Sequence, residues 1–159
     1  MEWTIVVAEN RERWTAARRL IEEYADSLAV DLSFQNIAHE LDHLADEYGP
    51  PHGTFLLAES GGAAIGCVGV RRFAPDAAEM KRLYVVDATR GHGVGRGLAE
   101  EAIAAARRLG YARLLLDTLP TMRDAQRLYL AFGFREIPAY RHNPIAGTAF
   151  FALDLAVAR

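Results

Sequence analysis

Apolar and polar positions change period several times along the chain, and those changes mark out its elements. Trp3 to Ala8 is a short β-favouring run, after which Asn10 is placed to cap a helix reaching about Asp26. Residues 27–33 read as a connection. Ile37, Leu41, Leu44 and Tyr48 then recur at helical spacing until Gly49-Pro50-Pro51 ends the pattern, which predicts one short helix. Strand-like runs at 54–59 and 63–73 are joined through Ser60-Gly61-Gly62, a turn that tolerates positive φ, and predict a hairpin. A further strand is expected over 79–86, followed by an Ala- and Leu-rich helix over about 93–109 that Gly110 ends. The apolar block at 112–119 reads as a strand buried on both faces, beside a parallel neighbour reached through the helical crossover. Pro120-Thr121 opens an amphipathic helix with Ala125, Leu128, Tyr129 and Phe132 on one face, closed by Gly133. Strands around 134–137 and 148–155 complete the pattern, which is α/β with mixed α+β character and contains no repeat or linker.

Composition narrows the class. A chain of 159 residues is the size of one compact domain, and 51% hydrophobic with 25% charged residues leaves little room for a long disordered tail. One domain over residues 1–159 is therefore expected. The formal charge of -3 provides no general basic field, so neither a nucleic-acid nor a membrane partner is expected, and any anion must be held locally. Cys67 is the sole cysteine, which rules out an intramolecular disulfide and a zinc site built on several thiolates. The start MEWTIVVAEN lacks the basic beginning and apolar core of a signal peptide, and no apolar run approaches the roughly 18 residues of a membrane span. A cytoplasmic location is the expectation.

The segment Arg90-Gly91-His92-Gly93-Val94-Gly95-Arg96-Gly97 places a glycine at every second position where a strand hands over to a helix. Without Cβ atoms the backbone can turn tightly and aim successive N–H groups at one point, and the positive end of the helix dipole adds to that focus. A diphosphate suits such a turn, with Arg90 and Arg96 able to add charge-assisted contacts from either end. Two nucleotide patterns fail here. A Walker-type loop needs Lys-Ser or Lys-Thr after its last glycine, but Gly95 and Gly97 are followed by Arg96 and Leu98. A dinucleotide fingerprint needs glycine at the sixth position, which is Arg96 counting from Gly91 and Leu98 counting from Gly93.

The string R-x-x-G-x-G at Arg90 to Gly95, preceded by Leu83-Tyr84-Val85 on a strand, resembles the acyl-CoA signature of the GNAT superfamily of N-acetyltransferases. The element order and the segment Leu128-Tyr129-Leu130-Ala131-Phe132-Gly133-Phe134 are also similar to that family, so the resemblance covers most of the chain. It implies a GNAT-like, largely antiparallel central sheet with helices on both faces, whose parallel unit is strand 79–86, helix 93–109 and strand 112–119. It implies acetyl-CoA as acyl donor and a small-molecule or peptide amine as acceptor, by direct transfer without a metal. Backbone groups of Leu83, Tyr84 and Val85 would take the pantetheine arm, and N–H groups of Arg90, Gly91, His92, Gly93, Val94, Gly95 and Arg96 the pyrophosphate. Met122 departs from the pattern, standing where many members carry asparagine. By analogy a homodimer through edge strands or the C-terminal region is compatible with the fold.

Acyl transfer from a thioester to an amine needs a neutral nucleophile, a polarised carbonyl and a proton for the departing thiolate. An alkylammonium, with a pKa near 10.4, is mostly charged at neutral pH, so a base should assist. Glu79 falls near the position where histone-acetylating relatives carry a glutamate base, although a solvated carboxylate at a strand end is the other reading. Tyr129 is the candidate acid, a phenol that stays protonated and can donate to sulfur, although its place on an apolar face also suits simple packing. The resemblance implies that a backbone N–H on strand 79–86 polarises the carbonyl. Tyr24, Phe34, Gln35, Tyr140, His142 and Asn143 form the expected acceptor set, mostly neutral and hydrogen-bonding, which suits a small polar acceptor.

His39-Glu40-Leu41-Asp42-His43 also fits the zinc-protease pattern H-E-x-x-H. On a helical wheel Ile37, Leu41, Leu44 and Tyr48 cluster, whereas His39 and His43 lie nearly opposite among Asp42, Asp46 and Glu47, so the histidines are expected to face solvent. The alternatives to an acyltransferase are thus a zinc hydrolase and a catalytically silent acyl-CoA-binding module.

Overall fold

Seven strands form one sheet in the order β1-β2-β3-β4-β5-β7-β6 in the computed structural model of the chain, which describes residues 1–28, 31 and 36–156. The strands are β1 (Thr4–Val7), β2 (Thr54–Ser60), β3 (Ala63–Ala74), β4 (Ala77–Val85), β5 (Arg113–Thr118), β6 (Arg135–Ile137) and β7 (Ala149–Asp154). Every neighbouring pair is antiparallel except β4 and β5. The largely antiparallel sheet with one parallel βαβ unit is as expected. Strand β4 begins at Ala77, two residues before Glu79, which puts Glu79 inside the sheet rather than at a strand start.

Helix α1 (Arg11–Ser27) is capped by Asn10, whose side chain accepts from the Arg13 N–H at 2.9 Å, and it buries Ala17, Leu20 and Ile21 at helical spacing. The single helix expected around residues 37–48 is two: α2 (Ile37–Asp42) and α3 (Leu44–Tyr48), broken at His43 with φ -135° and ψ 34°. The break has a polar cause. In an unbroken helix Glu40 and Tyr48 would stand about 12 Å apart along the axis, whereas the bend lets the Tyr48 hydroxyl donate to Glu40 at 2.9 Å. Both α1 and α3 cover one face of the sheet, over Phe55, Leu57 and Cys67. Helix α4 (Val94–Arg108) covers the other face together with α5 (Arg123–Ala131), over Val68, Ala78, Leu114 and Leu116.

One irregularity shapes the molecule's centre. Across β3 and β4, Cys67 faces Tyr84 and Gly69 faces Lys81, so Arg82 and Leu83 together oppose Val68. This bulge carries Arg82 into the left-handed region at φ 62°, and the Cys67 thiol donates to the displaced Arg82 carbonyl at 3.2 Å. Strands β4 and β5 pair only over Ala77–Arg113, Ala78–Leu114 and Glu79–Leu115, and beyond those residues they diverge. A fork therefore opens in the middle of the sheet.

Candidate functional site

The glycine turn sits at the mouth of this fork. A 3-10 turn (Asp87–Thr89) leads from β4 to Arg90, and then Gly91 (φ 88°) and Gly93 (φ 77°) adopt left-handed conformations that cost other residues about 1–2 kcal/mol. Gly93 caps α4 without any side-chain hydrogen bond, and the N–H groups of Val94 and Gly95 have no acceptor among the described residues. The turn is held from outside by Trp3, whose indole N–H donates to the His92 carbonyl at 3.1 Å. Gly97 makes room for that indole, since a Cβ there would lie 2.5 Å from the ring.

A cleft of about 630 Å³ runs from this turn between β4 and α5. Of the residues expected to hold the donor, Leu83, Tyr84, Val85, Arg90, Gly91, Gly93, Val94 and Gly95 line it. His92 and Arg96 do not. His92 turns its carbonyl to Trp3, while Arg96 lies over the Phe132 ring at 5.2 Å and pairs with Glu100 at 3.5 Å. The Arg90 guanidinium is folded back onto Asp87 (2.7 Å) and the Val85 carbonyl (3.1 Å). Arg123, at the start of α5, lines the cleft and makes no ion pair among the described residues. The signal available in the sequence was an arginine in the first turn of the amphipathic helix after the 112–119 block.

The cleft narrows into an inner cavity of about 60 Å³, with which it shares Tyr24, Leu83, Met122 and Ala125. Met80 and Lys81 from β4 both line this cavity, as do Asp117 and Thr118 from β5. Consecutive strand residues point to opposite faces, so the cavity lies within the gap of the fork and opens towards both sides of the sheet. Tyr129 lines it from α5, 6% exposed, and its hydroxyl has no partner among the described residues. Burial pushes the Tyr129 phenol well above its ordinary pKa, and that of Tyr24 to about 12, so both stay protonated. Lys81, 5% exposed, pairs with Asp117 at 3.5 Å, and Asn143 Nδ2 also reaches Asp117 at 3.5 Å. Burial lowers the Lys81 pKa, with the Glu79 and Asp117 carboxylates opposing it.

Glu79 is neither solvated nor at the end of a strand. It is fully buried, its Oε1 accepting from Arg71 Nε and Nη2 at 3.2 Å each and from Arg141 Nη2 at 2.9 Å. Its Oε2 accepts from the Tyr140 hydroxyl at 2.7 Å, and Glu79 lines neither the cleft nor the cavity. Of the expected acceptor residues, Tyr24 and Asn143 line the cavity, Tyr140 lies beside Glu79 and stacks on Phe73 at 5.0 Å, and His142 is exposed outside both spaces. Phe34 and Gln35 lie outside the described residues. The surroundings are also far more charged than the neutral set expected. Arg71 links Glu79 to Glu40 (3.4 Å) and Glu47 (3.5 Å), and Arg82 grips Glu40 with two hydrogen bonds of 2.9 and 2.8 Å. Glu40 was legible on the wheel, three residues after Ile37 and four before Leu44, but the histidines beside it drew the eye.

That ion pair also bears on the H-E-x-x-H motif. His39 and His43 are exposed, with rings stacked at 4.1 Å, while Glu40 points the opposite way and is 2% exposed. Among the described residues no group of three His, Cys, Asp or Glu side chains is placed to hold a metal. Treating the protein with a chelator, or replacing both histidines with alanine, is expected to change turnover less than about twofold, the usual scale for exposed positions. A loss of activity restored by stoichiometric zinc would revive the hydrolase.

A sequence model of the Acetyltransferase (GNAT) family matches residues 14–134. An uncharacterized N-acetyltransferase of Schizosaccharomyces pombe is 43% identical over 141 residues, covering 87% of this chain and 86% of its own. The uncharacterized N-acetyltransferase YjgM of Escherichia coli is 29% identical over 123 residues, covering 76% and 72%. Among solved structures, a GNAT-family acetyltransferase of Staphylococcus aureus superposes with a TM-score of 0.79 at 21% identity, covering 97% of this chain and 99% of that one. The putative acetyltransferase yncA of Salmonella typhimurium, solved with its cofactor acetyl-CoA, superposes with a TM-score of 0.71 at 19% identity, covering 100% and 97%. With a forked sheet, an uncapped glycine turn and this match over most of its length, the chain belongs to the GNAT family and is an acyl-CoA N-acyltransferase.

Proposed function

We propose that the chain transfers an acetyl group from acetyl-CoA directly to a primary amine, with Tyr129 as proton donor and Asp117 as base. The observation that carries this reading is that the long cleft ends in a cavity lined by both residues. The cleft fits the donor. Its unmatched N–H groups between Gly91 and Gly95 suit a diphosphate, with Arg123 in reach of the same end. The free edge of β4 beyond Glu79 offers backbone partners to pantetheine amides, much as a sheet edge accepts an added strand. The acetyl-CoA complex of the Salmonella neighbour supports the same choice of donor.

Asp117 takes a proton from the acceptor's ammonium and so frees its lone pair. Backbone N–H groups near Leu83 polarise the carbonyl as the N–C bond forms and the C–S bond breaks. Tyr129 donates to the departing sulfur and is reprotonated by the second proton leaving the acceptor nitrogen. The sum is one amide, one CoA thiol and one proton released to solvent by way of Asp117. Glu79 acts at a distance, fixing Arg71, Tyr140 and Arg141 on the acceptor side. The test is release of free CoA thiol over an amine panel, with Gly95→Leu as the control for the cleft. A Cβ at Gly95 meets only Val85, at 3.6 Å, and leucine is the better helix former, so the melting temperature should not fall. The larger side chain fills the cleft, and acetyl-CoA affinity should drop roughly tenfold or more, about 1.4 kcal/mol. Full affinity in that variant, or no thiol release with any amine, would remove the reading.

A further inference from the structure

We propose that the acceptor is a free α-amino acid, held as a zwitterion with its carboxylate on Lys81 and its ammonium on Asp117. This rests on the acetyl transfer proposed above and names the substrate class of that same site. The two side chains face one another across the gap, Lys81 from β4 and Asp117 from β5, with 3.5 Å between Nζ and Oδ1. That separation is long for a charge-assisted hydrogen bond, whose usual span is about 2.7–2.9 Å. Each partner therefore retains capacity for a ligand. An ammonium has three N–H donors, and Asp117 is the sole ion-pair partner of Lys81 among the described residues. The other cations on this side are held by carboxylates: Arg82 by Glu40 through two bonds, Arg71 by Glu40, Glu47 and Glu79, and Arg141 by Glu79 through Nη2, its buried Nε having no partner among the described residues and lying outside the cavity lining.

Charge balance then selects among amines. Lys81 and Asp117 together carry no net charge, so a zwitterion enters with each of its ends opposite a complementary group. A simple alkylamine or polyamine would instead bring an unmatched cation beside a buried lysine, where low dielectric makes like charges costly. A peptide N-terminus offers a neutral amide in place of the carboxylate and would leave Lys81 without its second anion. Thr118 lines the same cavity, 4% exposed, and its Oγ1 has no hydrogen-bond partner among the described residues. It is a further polar group suited to the carboxylate. The cavity, at about 60 Å³, suits an amino-acid head group rather than a whole extended ligand.

The test compares acceptors differing only at the carboxylate: L-amino acids, their carboxamides and the corresponding decarboxylated amines, read by CoA thiol release from acetyl-CoA with the wild-type protein. Free amino acids should be preferred over their carboxamides by roughly tenfold or more in kcat/KM, the scale of one charge-assisted contact. In Lys81→Met that ratio should collapse towards one through a higher KM for the amino acid, and Lys81→Arg should restore part of it. Asp117→Asn should instead lower kcat for both kinds of acceptor. Equal or better turnover of the carboxamides or plain amines by the wild-type protein would overturn the assignment while leaving acetyl transfer intact. An undiminished preference in a folded Lys81→Met would overturn it as well. No thiol release with any acceptor would remove acetyl transfer itself, and this proposal with it.

Discussion

Replacing Tyr129 with phenylalanine is expected to lower kcat by about 10²-fold or more, the usual worth of a positioned proton donor, with little change in affinity for acetyl-CoA. The fold should tolerate the change. Only the hydroxyl is removed, and it has no partner among the described residues. The ring keeps its packing against Phe134 at 5.6 Å and Phe151 at 6.4 Å. A melting temperature within about 1 °C of the parent would show that the missing turnover is chemical rather than structural. Steady-state rates of thiol release at saturating donor make the measurement. A variant that turns over at the parental rate would reduce Tyr129 to a packing aromatic, the other role its apolar face allows.

The second large effect belongs to stability. Glu40→Leu leaves Arg82 buried at 4% exposure without the carboxylate that grips it, and removes the acceptor of the Tyr48 hydroxyl. Breaking one partner of such a buried pair costs about 3–5 kcal/mol, which for a chain of this size lowers the melting temperature by roughly 10 °C. The pair also makes stability depend on pH. Burial alone would raise the Glu40 pKa, but hydrogen bonding and attraction from Arg82, then Arg71, outweigh it and hold the carboxyl below its ordinary value. The unfolded chain therefore binds a proton on this group before the folded one does. Its contribution is complete above the ordinary glutamate range and is lost as pH falls through and below it. Urea midpoints at neutral and acidic pH should converge between parent and variant as the solution is acidified. A constant difference would mean that the ion pair is not the source of the loss.

Much of this architecture was legible because strands and helices bury apolar faces at fixed periods. The strand-like runs at 54–59 and 63–73 with the glycine turn between them, the continuous apolar block at 112–119 and the Ala-rich helix before it led directly to the sheet and its parallel unit. The glycine turn was readable for a local reason, since left-handed residues must be marked by glycine within the motif itself. What escaped was long-range charge pairing. Lys81 and Arg82 stand next to one another in β4, and nothing in the local pattern marks them as buried. Their partners, Asp117 and Glu40, lie 36 and 42 residues away and become neighbours only when β5 and α2 are in place. Glu79 was misread in the same way, because its burial depends on Arg71, Tyr140 and Arg141 converging from two other segments. The break at His43 belongs to this class too. It follows from where Glu40 must reach rather than from any helix-breaking residue.

The divergence of β4 from β5 also divides the sheet mechanically. Strands β1 to β4 form one panel and β5 to β7 another, and the backbone seam between them runs only from Asp76 to Glu79 among the described residues. A molecule lying along the free edge of β4 supplies the partners that the seam lacks. Under the donor placement proposed above, the substrate of the reaction serves as a temporary strand while it stays and belongs, for that interval, to the protein's own framework.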